Sequence, residues 1–326
     1  MAIEIDKRQI RLVAELLKEL PEEEGLNFYS FKKGNEEIIA SDMYPELNHP
    51  QAINFFFFVV MHDYGFWYGD EKGYHEPLYG IINGKREKGS DLLWKMAVMT
   101  LKKNETKFEP INLAEIKPRE LAQIFSDDNG PIVWPDFEKR FQITRAFGKW
   151  FIKEKKTPSW IVNEANNATK PLQYFLAWLR KIPGYNRDLA EKKNLLLAMV
   201  LANRPEKFLN VKDPENWKPI IDYHLMRVSL RMGLVEFLNK EEKKENKERR
   251  WTNYFTEREI RWAVYNAVLE LIQKSGRPMS FIDKIMWMGR CYCPEMTAPE
   301  CAECLFNSVC KKNIEFFQPV FRTTAY

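Results

Sequence analysis

The chain has 326 residues, 45% hydrophobic and 14% aromatic, so it can bury a large core and is neither disordered nor fibrous. Fifty basic residues against forty-six acidic ones give a formal charge of +4, so the chain is not basic throughout and any nucleic-acid contact must come from local patches. No signal peptide is legible and Ile53 to Met61 is far too short an apolar run to span a bilayer, so a cytoplasmic, membrane-free monomer is expected.

Met1 to Leu20 alternates charge and hydrophobe as an amphipathic helix does, and an irregular Pro- and Asn-containing segment follows up to His49-Pro50. Ile53-Asn-Phe-Phe-Phe-Phe-Val-Val-Met61 cannot point four phenylalanines one way, so both sides of this element must be covered. Tyr64-Gly-Phe-Trp-Tyr68 and Lys72-Gly-Tyr-His75 mix aromatics with glycines, which suits a loop lining a flat pocket where planar bases stack. Helical patterns then run from Ser90, from Leu113 to Phe125 with Lys117-Pro118 as a start or kink, and from Phe137 to Ile152 with a basic side read as solvated. Ser126-Asp-Asp-Asn-Gly-Pro131 is a turn cluster. Trp160 to Leu179 is helical, Lys181-Ile-Pro-Gly-Tyr-Asn-Arg-Asp188 is a tight turn, and Glu191 to Ala202 is a hydrophobic helix led by Lys192 and Lys193. The charged run Lys240 to Arg250 reads as exposed helix or linker, and amphipathic helices follow over Glu257–Lys274 and Met279–Met288. No segment beyond residue 80 alternates convincingly with period two, so a mostly α fold is expected. Three parts are expected: 1–150 with the aromatic segment, 151–240 with the turn and the central helix, and 241–326 with the last helices and the cysteines.

The central helix is Pro219-Ile-Ile-Asp-Tyr-His-Leu-Met-Arg-Val-Ser-Leu-Arg-Met-Gly233. Asp222 is a good N-cap, Ile221, Leu225, Val228 and Met232 make one apolar face, His224, Arg227 and Arg231 lie on another, and Gly233 is the stop. Helix dipole and backbone donors favour the Asp222 charge. Such a carboxylate either caps the helix alone or also steadies a developing sugar cation and activates a water.

All five cysteines fall between Cys291 and Cys310. Counting from Cys293 gives C-x7-C-x2-C-x5-C, and four soft thiolates in one compact loop suit zinc or an iron–sulfur cluster. With Gly289, Arg290 and Pro299, the ligands Cys293, Cys301, Cys304 and Cys310 resemble the loop G-R-x-x-C-x6-C-x2-C-x5-C of the helix-hairpin-helix DNA glycosylases related to endonuclease III. The first spacer is one residue longer here, so Cys291 is the substitute first ligand. The resemblance implies a 4Fe–4S cluster rather than zinc.

In the same superfamily a segment like V-D-T-H-x-x-R-V-x-x-R-x-G carries the catalytic aspartate, and Asp222, His224, Arg227, Val228, Arg231 and Gly233 match it. Ile182-Pro-Gly-Tyr-Asn186 is similar to the family's L-P-G-V-G hairpin, and Asp188 stands where a lyase lysine would, so no Schiff-base step is expected. Residues 50–240 also resemble the queuosine salvage proteins, the queuosine 5′-phosphate N-glycosylases, through Asn54-Phe55, Lys72-Gly-Tyr74, Ile82-Asn83, Glu164-Ala-Asn-Asn-Ala168, Lys192-Lys193 and Asp222-Tyr223. Both resemblances imply a helix-hairpin-helix glycosylase-like fold and an N-glycosidase, with Asp222 stabilising the oxocarbenium ion and orienting water. They imply that Phe57, Phe58, Phe66, Trp67, Tyr74 and Tyr223 meet the base, and that Lys192, Lys193 or Arg227 holds a phosphate. The substrate implied first is a 7-deazaguanine-type nucleotide. A damaged base flipped from DNA is the alternative. A non-catalytic nucleic-acid binder with a structural cluster is the third reading.

Overall fold

The computed structural model describes residues 3–21, 25–33 and 36–326; Met1 and Ala2, included in the expected first helix, lie outside them. Thirteen α-helices are found among the described residues: α1 Lys7–Glu19, α2 Ala52–Met61, α3 Gly89–Lys103, α4 Pro110–Ala114, α5 Pro118–Ile124, α6 Phe137–Glu154, α7 Pro158–Asn167, α8 Pro171–Leu179, α9 Lys192–Asn203, α10 Tyr223–Met232, α11 Lys240–Lys247, α12 Tyr254–Ser275 and α13 Met279–Tyr292. Strands occur as short antiparallel pairs, so the fold is mostly α, as expected. None of the described helices is long and apolar enough to cross a membrane.

Two hydrophobic cores organise these helices. The larger is built around α2, whose residues from Phe55 to Met61 are all fully buried. A helix apolar on every side has to be covered on every side, and α3, α7 and α9 surround it. The second core joins α1 to α10, α12 and α13, and Ile3–Ile5 pairs antiparallel with Val235–Phe237 to strap the N-terminal end onto it. The core boundary therefore passes between Ile220 and Ile221, and the chain's first helix belongs with its last ones.

Several local expectations change. Trp67–Asp70 and Gly73–Pro77 form a β-hairpin rather than a loop, and Ser30–Lys33 pairs with Glu36–Ile39 where an irregular segment was expected. Of the two readings of Lys117-Pro118 the start holds, with Lys117 as the N-cap of α5. On α6, Arg140 is fully buried, with its guanidinium donating to the carbonyls of Pro135, His62 and Tyr64, so that side of the helix is not simply solvated. All ten residues of α10 are buried. Its polar face is covered by the C-terminal segment, which Arg227 and Arg231 hold.

Candidate active site

A cavity opens where the two cores meet, with about 780 Å³ of empty space, its mouth included. Phe28, Met199 and Ile220 reach it from the larger core, Tyr223 and Leu225 from the smaller. One wall is aromatic: Phe28 stacks on Trp94 at 6.3 Å and 24°, and Tyr44 meets Trp94 edge-on at 5.4 Å. Phe66 and Trp287 add further rings. Such a wall accepts a planar, π-rich ligand.

Asp222 lines this cavity at the mouth of α10. Pro219 and the extended backbone at Asp222 (φ −112°, ψ −177°) bring the chain in, and the carboxylate accepts from the Leu225 amide at 2.9 Å. The helix mouth is not the only influence on its charge. Burial pushes the Asp222 carboxyl up from its usual range, against the lowering pull of Lys192 and the Leu225 amide, and Asp63 adds to the rise.

Lys192, the first residue of α9, also lines the cavity, but its ammonium is committed: it donates to the Asp63 carboxylate at 2.5 Å and to the Asp63 carbonyl at 2.9 Å. His224 is neutral, because burial and the neighbouring Arg227 push its pKa well down, and its Nδ1 accepts from Arg227 at 3.0 Å. Among the described residues, four carboxyl groups line the space (Asp63, Asp91, Asp222 and Asp283) against this single lysine. The cavity is therefore acid-rich and short of free cations.

Asp283 was not singled out from the sequence. It sits on α13, is 9% exposed, and none of the hydrogen bonds found among the described residues reaches its carboxyl. Burial and the Asp222 charge push it up to about 8, opposed by Lys192. A signal existed: Met279, Ile282, Asp283 and Met286 share the buried stripe of α13, and an acid on such a stripe is rarely without purpose.

The other expected residues divide. Phe66 and Tyr223 line the cavity. Phe57 and Phe58 do not: they are fully buried in the larger core, Phe57 against Phe151, Phe175 and Tyr185, Phe58 against Phe108. Trp67 and Tyr74 stack on each other at 5.3 Å, and the hairpin turns them toward Phe317 and Val320 instead of the cavity. Tyr74 donates to Glu295 at 2.8 Å. Lys193 donates to the Met61 carbonyl at 3.1 Å, and burial pulls its pKa down to about 7. Arg227 is fully buried and donates to Gln318 at 2.8 Å. Neither Lys193 nor Arg227 is placed to hold a phosphate in this cavity.

The turn between α8 and α9 has Gly184 at φ +92°, where a Cβ would strike the Met61 side chain, and the Tyr185 hydroxyl donates to the Phe57 carbonyl at 2.5 Å. Asp188 accepts from the Lys192 amide at 2.7 Å and pairs bidentately with Arg261 at 2.7 and 2.8 Å. Its role is to start α9 and tie it to α12.

Farther along α10, Cys293, Cys301, Cys304 and Cys310 line one small, mainly apolar hollow, whereas Cys291 is exposed and faces elsewhere. Arg231 donates to the Cys293 sulfur at 3.2 Å and to the Pro294 and Phe316 carbonyls at 2.8 and 2.7 Å, and the Lys312 amide donates to the Cys310 sulfur at 3.3 Å. Among the described residues, no three His, Cys, Asp or Glu side chains converge closely enough to hold a single metal ion.

No protein-family model matches the chain, and no curated protein matches it. A solved structure, a trapped endonuclease III–DNA covalent intermediate described as an estranged-adenine complex, is similar over 94% of this chain and 97% of its own, with 15% identity and a TM-score of 0.46.

Proposed function

We propose that this protein hydrolyses the N-glycosidic bond of a base that enters the cavity from a nucleic-acid strand, DNA being the first candidate, while the phosphates stay outside. The observation that carries this reading is Asp222: a carboxylate fixed by a backbone amide at a helix mouth, facing a buried space with an aromatic wall. Rings stack on the base, and the Asp222 charge meets the positive charge that develops on the sugar as the base leaves. In a cavity shielded from water that attraction is much stronger than at a surface. A water held near the same carboxylate completes the hydrolysis.

The balance of charge separates this reading from nucleotide salvage. A phosphomonoester drawn into the cavity would meet the Asp222 carboxylate with no free cation among the described lining residues to hold it, since the lining lysine is already bonded to Asp63 and Asp91 already pairs with Arg290. A base flipped from a strand keeps its phosphates at the rim and avoids that repulsion. The sequence blocks shared with the salvage proteins keep a monophosphate among the substrates to be tried.

The cysteine loop is read as the holder of a 4Fe–4S cluster on Cys293, Cys301, Cys304 and Cys310. Four soft sulfurs facing one hollow, with Arg231 and the Lys312 amide donating to two of them, suit such a cluster. Bound there, the cluster supplies cross-linking of the C-terminal segment; α10 feels it through Arg227 and Arg231.

The test is base release. Purified protein is incubated with duplexes and single strands carrying uracil, hypoxanthine or oxidised guanine, and with queuosine monophosphate, and free base is detected by mass spectrometry. Base and an abasic strand support the proposal. Release from the monophosphate alone transfers it to salvage, and no release from any of them refutes it.

A further inference from the structure

We propose that Asp283 is the general acid of this site, handing a proton to a departing base that is uncharged before it leaves, whereas a base that is already cationic leaves without it. The inference rests on the base-hydrolysis reading above and extends it to a residue and a substrate class.

The geometry differs sharply between the two acids of the cavity. Asp283 on α13 and Asp222 at the start of α10 face the same space because the two helices pack together. Asp222 has the Leu225 amide and the helix mouth to hold a negative charge. Asp283 is equally buried and has no hydrogen-bond donor among the described residues. Among the described residues, the titratable and charged groups lining the cavity with it are Asp222, Tyr223 and His224 from α10, Lys192 from α9, Asp91 from α3 (paired with Arg290), Asp63 and Tyr64 from the segment after α2, Tyr44, and Tyr326. Lys192 alone among them is a cation, and it is tied to Asp63.

Two carboxylates sharing a poorly solvated space do not both ionise readily, so the proton settles on the one without donors. Asp283 therefore stays neutral at pH 7, in keeping with a carboxyl pushed up to about 8. A buried acid with nothing to bond weakens the fold, and a cost of that kind marks a position used by a ligand.

The step balances. The bond between the sugar anomeric carbon and the base nitrogen breaks, and its electron pair goes to the base. A ring nitrogen of the base takes the Asp283 proton, leaving a carboxylate. Water adds to the anomeric carbon, and the proton it loses returns to the carboxylates of the site. A base that is already cationic, such as an alkylated purine, departs without needing that proton.

The experiment uses the full chain, duplexes carrying hypoxanthine (uncharged) or N7-methylguanine (cationic), and the variants Asp283→Asn and Asp222→Asn. Asp283→Asn is expected to slow hypoxanthine release by roughly 10²–10⁴-fold, to abolish the fall in rate above about pH 8, and to leave methylguanine release unchanged. Asp222→Asn is expected to lose both. Equal loss of both bases in Asp283→Asn, or an unchanged pH profile, overturns the Asp283 role while an inactive Asp222→Asn keeps the hydrolase reading. Wild type and Asp222→Asn being alike overturns the hydrolase reading instead. A substrate-free readout accompanies these: the protonated-carboxyl stretch in infrared difference spectra of wild type against Asp283→Asn should titrate near pH 8, and a midpoint in the ordinary carboxylate range overturns the proposal whatever the substrate.

Discussion

Replacing Asp283 with Asn should make the protein more stable at neutral pH, an unusual outcome for a buried position. The unfolded-state carboxyl titrates at 3.8, whereas the folded one is pushed up to about 8. Between those values the folded state binds the extra proton, so stability falls as pH rises through the window and the loss is complete above the folded value. From 3.8 to 7 is about three pH units at about 1.4 kcal/mol each, so the native acid costs on the order of 4 kcal/mol at pH 7. Asn is nearly the same size as the neutral acid and carries no such pH-dependent cost. Urea unfolding of wild type and Asp283→Asn, followed by circular dichroism from pH 4 to 9, should show stabilities that coincide near pH 4 and then diverge, with the variant ahead. A constant offset across that range, or a variant that is weaker at pH 7, refutes the reasoning.

Other changes have equally definite outcomes. Cys304→Ser should lose iron and visible absorption while Cys291→Ser keeps both, as measured by metal analysis of purified protein; iron loss from Cys291→Ser contradicts the ligand set. Asp188→Asn should destabilise by about 3–5 kcal/mol, since it leaves Arg261 buried and unpaired. Burial alone would raise the Asp188 carboxyl, but the Arg261 charge and hydrogen bonds overcome it and hold it below the usual range. That contribution is present above the unfolded-state value and disappears as pH falls through the folded one, so thermal melts of wild type and variant should converge in acid and separate at neutral pH. Gly148→Ala should destabilise as well, because its Cβ would lie 2.3 Å from the Ala114 amide nitrogen where α6 crosses α4; a melt equal to wild type contradicts that close packing.

Much of the helical order and the placement of both candidate sites were legible in the sequence, because caps, prolines and cysteine spacing act locally. Asp222 could be recognised as an N-cap and is one, and the four spaced cysteines do face one hollow. What was not legible depends on partners far along the chain. The apolar block of α2 offers no hint of which ring faces a ligand, and being covered all round it presents Phe57 and Phe58 to the core. Trp67 and Tyr74 were expected at the base, but a β-bulge between Tyr68 and Gly69 and the distant Phe317 decide where that hairpin points. Lys192 looked free until Asp63 was found beside it, and His224, Arg227 and Arg231 looked like a separate polar face until the C-terminal segment covered them. Asp283 was the reverse case: its position on an apolar stripe was visible, and its meaning required Asp222 to be seen across the cavity.

The most direct test of the whole account is single-turnover base release by wild type and Asp222→Asn on the same damaged duplex, with thermal melts of both run alongside. Asn caps a helix about as well as Asp and removes the charge that burial opposes, so the account predicts a variant that melts no lower than wild type and leaves the base attached. A variant that folds equally well and releases base at the wild-type rate would contradict it.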